Sequence, residues 1–205
     1  MSEIVIPDGM MRATRQHRRR ITDITCEAFL NDPVSRWLFP DARAQRAIFG
    51  RLATDVYLPR GEVHLIGDEA ATMWGPPGMD RDMGFVSLLR MMVSVARYGG
   101  LSGARRGKAM GDAMDAVHPA EPHWYLFTIG TRLSARGKGL GRRLFAPVLA
   151  HCDREGIPAY LENSNPDNHG FYTSHGFEPR GVPIILSPGA PPLTPMWRVP
   201  QAGRL

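Results

Sequence analysis

The chain has 205 residues, of which 43% are hydrophobic and 22% are charged, a composition typical of globular proteins and too apolar for a disordered chain. This length predicts one sizeable α/β domain covering residues 1–205. The net charge of +5 favours an anionic partner, although phosphate-bearing cofactors, nucleic acid and acidic surfaces all satisfy it.

The N-terminal third predicts helices followed by a β-hairpin. Apolar side chains recur at helical spacing over residues 21–29, and Pro33 lies in the segment that ends this helix. A weaker helical pattern runs from Ala44 to Leu58. Residues 62–66 and 70–74 then predict two paired strands.

Two more helices are predicted before the second half of the chain, with Gly99 to Gly103 interrupting them. The first, Met83 to Tyr98, carries apolar residues on more than one face. We expect it to be buried, the alternative being that it lines an apolar site. The second, Ala104 to Val117, is polar and basic.

The second half of the chain predicts a βαβ unit. A strand from Trp124 to Thr131 is followed by a basic glycine loop, a helix ending at Arg154 and a strand from Pro158 to Asn163. Pro147 falls inside the helix, so the helix either bends there or begins later than Gly141.

The end of the chain predicts a short helix and a hairpin. The helix covers Asn168 to His175, and Gly176 caps it. Residues 182–186 and 195–199 are the predicted strands of the hairpin.

The glycine loop of the βαβ unit has the sequence Leu133-Ser134-Ala135-Arg136-Gly137-Lys138-Gly139-Leu140-Gly141-Arg142-Arg143. Glycines let backbone N–H groups approach an anion, and a helix that begins there adds the positive end of its dipole. A dinucleotide fingerprint would need glycine at position 142, and the Gly107-Lys108 pair lacks the hydroxyl residue of a P-loop. The loop therefore predicts a phosphate site of another kind, the alternative being a tight strand-to-helix connection in a basic surface loop.

The loop resembles that of the GCN5-related N-acetyltransferase (GNAT) superfamily, whose pyrophosphate loop has the form Arg/Gln-x-x-Gly-x-Gly. Arg136, Gly139 and Gly141 match this form. The resemblance continues through the segment from Leu161 to Tyr172 and through Gly176-Phe177. The segments Phe29-x-x-Asp32-Pro33, Trp74-x-Pro76-Pro77-Gly78 and His123-Trp124-Tyr125-Leu126 further resemble the puromycin-acetyltransferase-like branch.

The resemblance implies a mixed, twisted sheet of about six to seven strands, with helices on both faces and a splayed central strand pair. It implies direct transfer of an acetyl group from acetyl-CoA to a primary amine of a small molecule or peptide, in a ternary complex. The residues expected to bind acetyl-CoA are Ile129, Gly130, Thr131, Arg136, Gly137, Lys138, Gly139, Leu140, Gly141, Arg142 and Asn168. Asn168 is equally explained as a helix cap, and Asn165 is a second candidate for its role.

Tyr172 and Glu162 are the expected catalytic residues. A phenol with an ordinary pKa of about 10 suits proton donation to a departing thiolate, and the family's equivalent tyrosine has this role. The alternative for Tyr172 is a core aromatic beside Phe171. Glu162 ends a strand and could take a proton from the amine, or it is simply a solvated carboxylate.

The first half of the chain is expected to build the acceptor site, from Phe29 to Trp37, Trp74 and the Met83 to Tyr98 helix. Trp37 and Trp74 are candidate walls for an apolar or aromatic amine, although tryptophan in such a pattern is more often a core residue.

The sequence predicts neither a metal site nor covalent catalysis. The seven histidines form no ligand motif with the two cysteines, and Cys26 and Cys152 both fit apolar helical positions. We expect a cytoplasmic protein, because there is no signal pattern and no apolar run long enough to span a membrane. A homodimer is compatible with the sequence.

Two rival functions remain open at this point. A CoA-binding regulatory or scaffold domain would keep the phosphate loop without catalysing transfer. A nucleic-acid-binding module would use the five arginines between Arg12 and Arg20, together with Arg142 and Arg143. Such modules interleave basic residues with aromatic ones, which this arginine cluster lacks, so a solvated helix face is the favoured interpretation.

Overall fold

The computed structural model describes residues 2–39, 41–80, 84–187 and 189–201. Its helices are α1 (Arg18–Ala28), α2 (Pro33–Leu38), α3 (Ala42–Leu52), α4 (Leu58–Arg60), α5 (Gly84–Val117), α6 (Leu140–Glu155) and α7 (His169–Thr173). Its strands are β1 (Met11–Arg12), β2 (Glu62–Ile66), β3 (Ala70–Gly75), β4 (Trp124–Thr131), β5 (Ala159–Asn163), β6 (Glu178–Pro179) and β7 (Thr194–Arg198).

The seven strands form one sheet in the order β1-β2-β3-β4-β5-β7-β6. Neighbouring strands pair antiparallel except β4 and β5, which are parallel. Parallel strands need a crossover, which α6 provides here. The predicted mixed sheet and its βαβ unit are confirmed.

Helices cover both faces of the sheet, as predicted. Successive strand residues point to opposite faces, so Leu126 and Phe127 of β4 lie on different sides. Leu126 packs in the same apolar cluster as Phe145 of α6. Phe127 packs against the cluster that contains Ile24 of α1. The sheet is therefore the middle layer between α1 and α6.

The region around α3 differs from a single regular helix. The predicted helix from Ala44 to Leu58 is observed as α3, a π-helical turn over Ala53–Tyr57, and α4. The π turn contributes Ala53, Val56 and Tyr57 to the core beneath α1.

The expectation that the helix beginning at Met83 is buried is wrong for much of its surface. Met83 itself lies outside the described residues, and the helix is described from Gly84 onward. Phe85 is 78% exposed and Val93 is 58% exposed, whereas Val95 is 7% exposed. The helix lies at the periphery of the fold, where one side packs on α3 and the opposite side faces solvent.

The predicted interruption of this helix is confined to one residue. Gly100 has φ 63° and ψ −171°, outside the helical region, and helical structure resumes directly after it. The segment predicted as a separate helix from Ala104 therefore lies in the second of two helices that meet at a kink at Gly100 and that α5 denotes together.

Two details near the C-terminal end correct the predicted elements. α6 begins at Leu140 and includes Pro147, so a later start is wrong. The predicted C-terminal hairpin is reduced to a bridge between Ile184 and Leu193, while β7 pairs with β5 and β6. β7 therefore pairs with β5 of the βαβ unit and not with a strand over residues 182–186.

α1 and β4 approach each other closely at Ala28 and Gly130, and this contact can be tested by its effect on stability. A Cβ added to Gly130 would lie 2.5 Å from the Ala28 Cβ, so Gly130→Ala should destabilise the fold by about 1–3 kcal/mol through overpacking. Urea unfolding measures the loss, with Gly107→Ala as the control because a Cβ there meets nothing within 4 Å. Adding Ala28→Gly should recover part of the loss. Equal stability of Gly130→Ala and the wild type would contradict the contact.

Candidate active site

The central parallel strands separate soon after they meet. Trp124 pairs with Ala159 and Tyr125 pairs with Tyr160, and no later pair joins β4 to β5 among the described residues. Both strands nevertheless continue, to Thr131 and Asn163 respectively. The edge of β4 that faces β5 therefore opens into a wedge, as expected for a splayed pair.

A β-bulge lies where the wedge begins. In β3, Met73 pairs with Thr128 and Trp74 pairs with Leu126, which leaves Phe127 as the extra residue in β4. Bulges bend a strand and redirect its side chains. Leu126, Phe127 and Thr128, the residues at the bulge, are among those that line one cavity.

The cavity has a volume of about 560 Å³ and joins the wedge to α3 and α5. Volumes of this size are typical of small-molecule sites. Most of its lining side chains are apolar. The functional groups that line it are Asp32, Ser35, Lys108, Tyr125, Thr128, Glu162, Ser164 and Tyr172.

Tyr172 belongs to both the core and the cavity. Its ring packs near Phe145, with centroids 6.1 Å apart, and the residue is 9% exposed. Burial raises the pKa of the phenol far above its ordinary value, and the negative charge of Asp32 raises it further. Tyr172 is therefore protonated at neutral and moderately alkaline pH.

Glu162 is enclosed, so the interpretation as a solvated carboxylate is wrong. Its side chain is 2% exposed, and the hydroxyl of Tyr125 donates to Oε2 over 2.8 Å. Oε1 is buried without a hydrogen-bond partner among the described residues. The nearest cationic candidate is His118 Nδ1, 3.9 Å away. One carboxylate oxygen thus accepts no hydrogen bond from the described part of the chain.

Asp32 also lies at this site, within the segment from Phe29 to Trp37 that was expected to help build the acceptor site. Asp32 Oδ1 accepts from the Ser35 N–H over 2.8 Å, and Oδ2 accepts from the Ser164 hydroxyl over 2.6 Å. Burial raises the pKa of the Asp32 carboxyl. Its residue pattern, Asp before Pro at a helix start, is that of an N-cap.

The glycine loop forms the N-terminus of α6. Gly137 and Gly139 have φ of 78° and 74°, a left-handed conformation that other residues rarely adopt, and Gly139 is the N-cap. The first N–H groups of a helix have no acceptor within it. A Cβ added to Gly137 or Gly139 meets nothing within 4 Å, so space beside these backbones is open.

The basic side chains of the loop are exposed, and some are engaged by neighbouring groups. Arg142 is exposed beside the N-terminus of α6. Lys138 Nζ lies 2.8 Å from Glu69 Oε1, and Arg143 donates to the Asp8 carbonyl over 3.2 Å. Leu140 differs from its neighbours because its side chain is buried in the core.

The end of α1 holds the loop in place. Glu27 Oε1 accepts from the Leu133 N–H over 2.9 Å, and Arg136 donates to the Ala28 carbonyl over 3.3 Å. Ala28 also packs against Gly130, next to Ile129 and Thr131 at the end of β4. The end of α1 therefore contacts both the glycine loop and the end of β4, which borders the wedge.

Two predicted wall residues lie away from the cavity. Trp74 is fully buried in the core with Phe145, which is the core alternative left open by the sequence. Trp37 packs in the apolar cluster around α2, with the Arg106 guanidinium 5.3 Å from its ring. Neither residue is among those that line the cavity.

The two asparagines also separate into different roles. Asn165 caps a 3-10 turn, since its side chain accepts from the Asp167 N–H over 3.0 Å. Asn168 occupies the N-cap position of α7, but it is exposed and its side chain makes no capping bond.

The two cysteines are poorly suited to act as nucleophiles. Burial raises the pKa of Cys26 to about 11 and that of Cys152 to about 12, which keeps both thiols protonated. No cluster of three metal-ligating side chains occurs in residues 2–39, 41–80, 84–187 and 189–201. Within these same ranges, no helix is long and apolar enough to cross a membrane.

Comparison with known proteins assigns this chain to a protein family. The model of the acetyltransferase (GNAT) family matches residues 72–177, which include most of β3 and all of α5, β4, the glycine loop, α6, β5 and α7. The chain belongs to the GNAT acetyltransferase family. Membership agrees with the resemblance of the loop and with the mixed, splayed sheet. The comparisons do not separate the puromycin-acetyltransferase-like branch from the rest of the family.

One curated relative and two solved structures show the extent of the likeness. An uncharacterized N-acetyltransferase of Schizosaccharomyces pombe is 31% identical over 168 residues, which are 74% of this chain and 66% of that protein. A histone acetyltransferase-related structure from Corynebacterium glutamicum is 25% identical with TM-score 0.70, covering 96% of this chain and 98% of that one. An agmatine N-acetyltransferase structure shares the fold at 14% identity and TM-score 0.58, covering 94% and 100% of the two chains.

Proposed function

We propose that the protein is an acetyl-CoA-dependent N-acetyltransferase that acts on a primary amine of a small molecule or peptide, with both substrates bound at once. The observation that carries this proposal is the shared cavity of Tyr172 and Glu162 at the separation of β4 and β5. One group is a buried phenol that stays protonated, and the other is a carboxylate with an unpaired oxygen. They suit the acid and base tasks of acyl transfer.

The residues around the wedge fit acetyl-CoA, which supplies an acyl group activated as a thioester. The open space at Gly137 and Gly139 admits phosphates to the N-terminus of α6, where Arg136, Lys138 and Arg142 supply positive charge. The backbone of Ile129–Thr131 lies at the unpaired edge of β4 and would bond the pantetheine arm. The exposed Asn168 lies beyond the wedge, at the start of α7, and remains a candidate contact.

Glu162 would act as the general base of the transfer and Tyr172 as the general acid. Glu162 takes one proton from the ammonium group of the acceptor and passes it to solvent. As the amine nitrogen bonds to the acyl carbon, the carbon–sulfur bond breaks and Tyr172 donates its proton to the thiolate. The second proton lost by the nitrogen returns to the Tyr172 phenolate, so the products are an amide, a thiol and one released proton.

Gly139→Val tests the placement of the phosphates. A β-branched residue does not tolerate the left-handed conformation, which costs roughly 1–2 kcal/mol, so the loop should rearrange and the affinity for CoA should fall about tenfold or more. Gly139→Asn is the matched control, because asparagine tolerates this conformation. Calorimetric titration with CoA measures the effect. An unchanged dissociation constant for the valine variant would contradict the placement.

The activity itself is tested by thiol release from acetyl-CoA across a panel of amines and peptides. The proposal predicts amine-dependent release and an acetylated amine as product. Stabilisation by acetyl-CoA without release for any amine would favour the CoA-binding scaffold instead. Salt-sensitive retention on DNA or RNA that persists at saturating acetyl-CoA would favour the nucleic-acid-binding module.

A further inference from the structure

The cavity has an aromatic wall on the side of α1 and α3. The rings of Phe29 and Phe49 have centroids 5.4 Å apart, and those of Phe49 and Phe127 are 6.3 Å apart. All three side chains line the cavity, and Leu52 of α3 lines it beside them. This wall offers no hydrogen-bonding side chain to a ligand.

A second wall comes from α5, which packs on α3, and is rich in methionine. Methionine side chains are flexible and adapt to apolar bodies of varied shape. The α5 residues with apolar side chains that line the cavity are Leu88, Met91, Met92, Val95, Met110 and Met114. Both long walls of the site are therefore apolar.

The charged side chains among the described lining residues are Asp32, Lys108 and Glu162. Both Asp32 oxygens accept hydrogen bonds within the protein. Lys108 is 76% exposed and its Nζ lies 2.5 Å from Asp112 Oδ2, so its charge belongs to the outer surface. Glu162 Oε1 accepts no hydrogen bond among the described residues, and His118 Nδ1 lies 3.9 Å from it. The cavity thus combines this carboxylate with five hydroxyl-bearing side chains, Ser35, Tyr125, Thr128, Ser164 and Tyr172, and the rest of its lining is apolar apart from Asp32 and Lys108.

We infer that the acceptor is an amphiphilic primary amine, with one ammonium group at Glu162 and an aryl or long alkyl body against the phenylalanine and methionine walls. This inference rests on the proposed function and narrows its substrate class. Polyamines and amino sugars carry further polar groups, which would lie against these apolar walls without hydrogen-bond partners. Burying a polar group without a hydrogen bond costs free energy, so such amines should bind less tightly. The reaction joins the amine nitrogen to the acetyl carbon and releases the thiol by the proton route already described.

The test compares the n-alkylamines from butylamine to decylamine, and 2-phenylethylamine, with agmatine and spermidine. Thiol release gives kcat/KM, and calorimetry on the CoA-saturated protein gives affinity. Each added methylene should raise both about three- to fourfold until the cavity is filled, because burying a methylene is worth about that factor. Agmatine and spermidine should be the poorer substrates and ligands.

Two isosteric variants of α5 locate the binding surface. Val95→Thr places a hydroxyl on the buried wall and should lower the affinity for decylamine about five- to tenfold. Val93→Thr is the control, since Val93 is 58% exposed on the outer side of the same helix and should leave the affinity unchanged. Equal effects of the two variants would overturn the placement of the alkyl chain.

The outcomes separate this inference from the proposed function. Acetylation of polar amines without binding or acetylation of the alkyl series overturns the inference and leaves the N-acetyltransferase proposal standing. Chain-length-dependent binding without acetylation of any amine supports the apolar amine site and overturns the N-acetyltransferase. Neither binding nor acetylation of any amine overturns both.

Discussion

Replacing Tyr172 by phenylalanine is expected to lower kcat by about 10²–10⁴-fold, the usual contribution of a positioned proton donor. The affinity for acetyl-CoA should change little, because the ring that packs near Phe145 is retained. Single-turnover measurement of thiol release, together with calorimetric titration of CoA, separates these two quantities. Tyr98→Phe is the matched control, since Tyr98 contacts arginines of α3 and α5 through its ring.

The pH profile adds a second readout for Tyr172. Burial raises the pKa of its phenol, so the proton donor is present at neutral pH and would be lost only as pH rises through that elevated value. The wild type should therefore show no fall in kcat from tyrosine ionisation up to about pH 10, the ordinary value for a phenol. A phenylalanine variant with the kcat of the wild type would remove Tyr172 from the chemistry.

Glu162→Gln has the second large expected effect, a fall in kcat/KM of about 10²–10³-fold at neutral pH. Without the carboxylate, transfer depends on the small fraction of acceptor that is already neutral, and an alkylamine has a pKa near the lysine value of about 10.4. The activity of the variant should therefore rise about tenfold per pH unit below this pKa. A full pH profile with one amine measures this slope.

Glu155→Gln is the control for Glu162, because this carboxylate is exposed on α6 and bonds only to the N-terminal segment in the described contacts. It should keep the wild-type profile. A Glu162→Gln variant with the wild-type rate and slope would assign the base role to another group, with His118 as the next residue to replace.

The sequence was most informative where backbone conformation depends on particular residues. Gly139 is in the left-handed conformation that only glycine adopts readily, so the loop could be located from its letters. Gly130 lies within a strand, a position typical of a close approach by another residue, and Ala28 is the residue that approaches. The strands and crossover of the βαβ unit followed from hydrophobic patterns of ordinary length.

The surroundings of Glu162 were beyond sequence reasoning, because its neighbours come from separate parts of the chain. His118 follows α5 and Tyr125 lies in β4. Periodicity likewise shows that a helix has apolar faces without showing which of them meets another element. The exposure of Phe85 is an example, since the predicted helix has protein on one side and solvent on the other.

Direct transfer, with both substrates bound at once, is tested by an initial-velocity study in which acetyl-CoA and an amine acceptor are both varied. Direct transfer in one cavity requires both substrates to be present together, so double-reciprocal plots should give intersecting lines. The raised pKa of Cys26 and Cys152 also argues against a thiolate that could carry the acetyl group. Parallel lines, with acetylated protein formed in the absence of amine, would contradict the account.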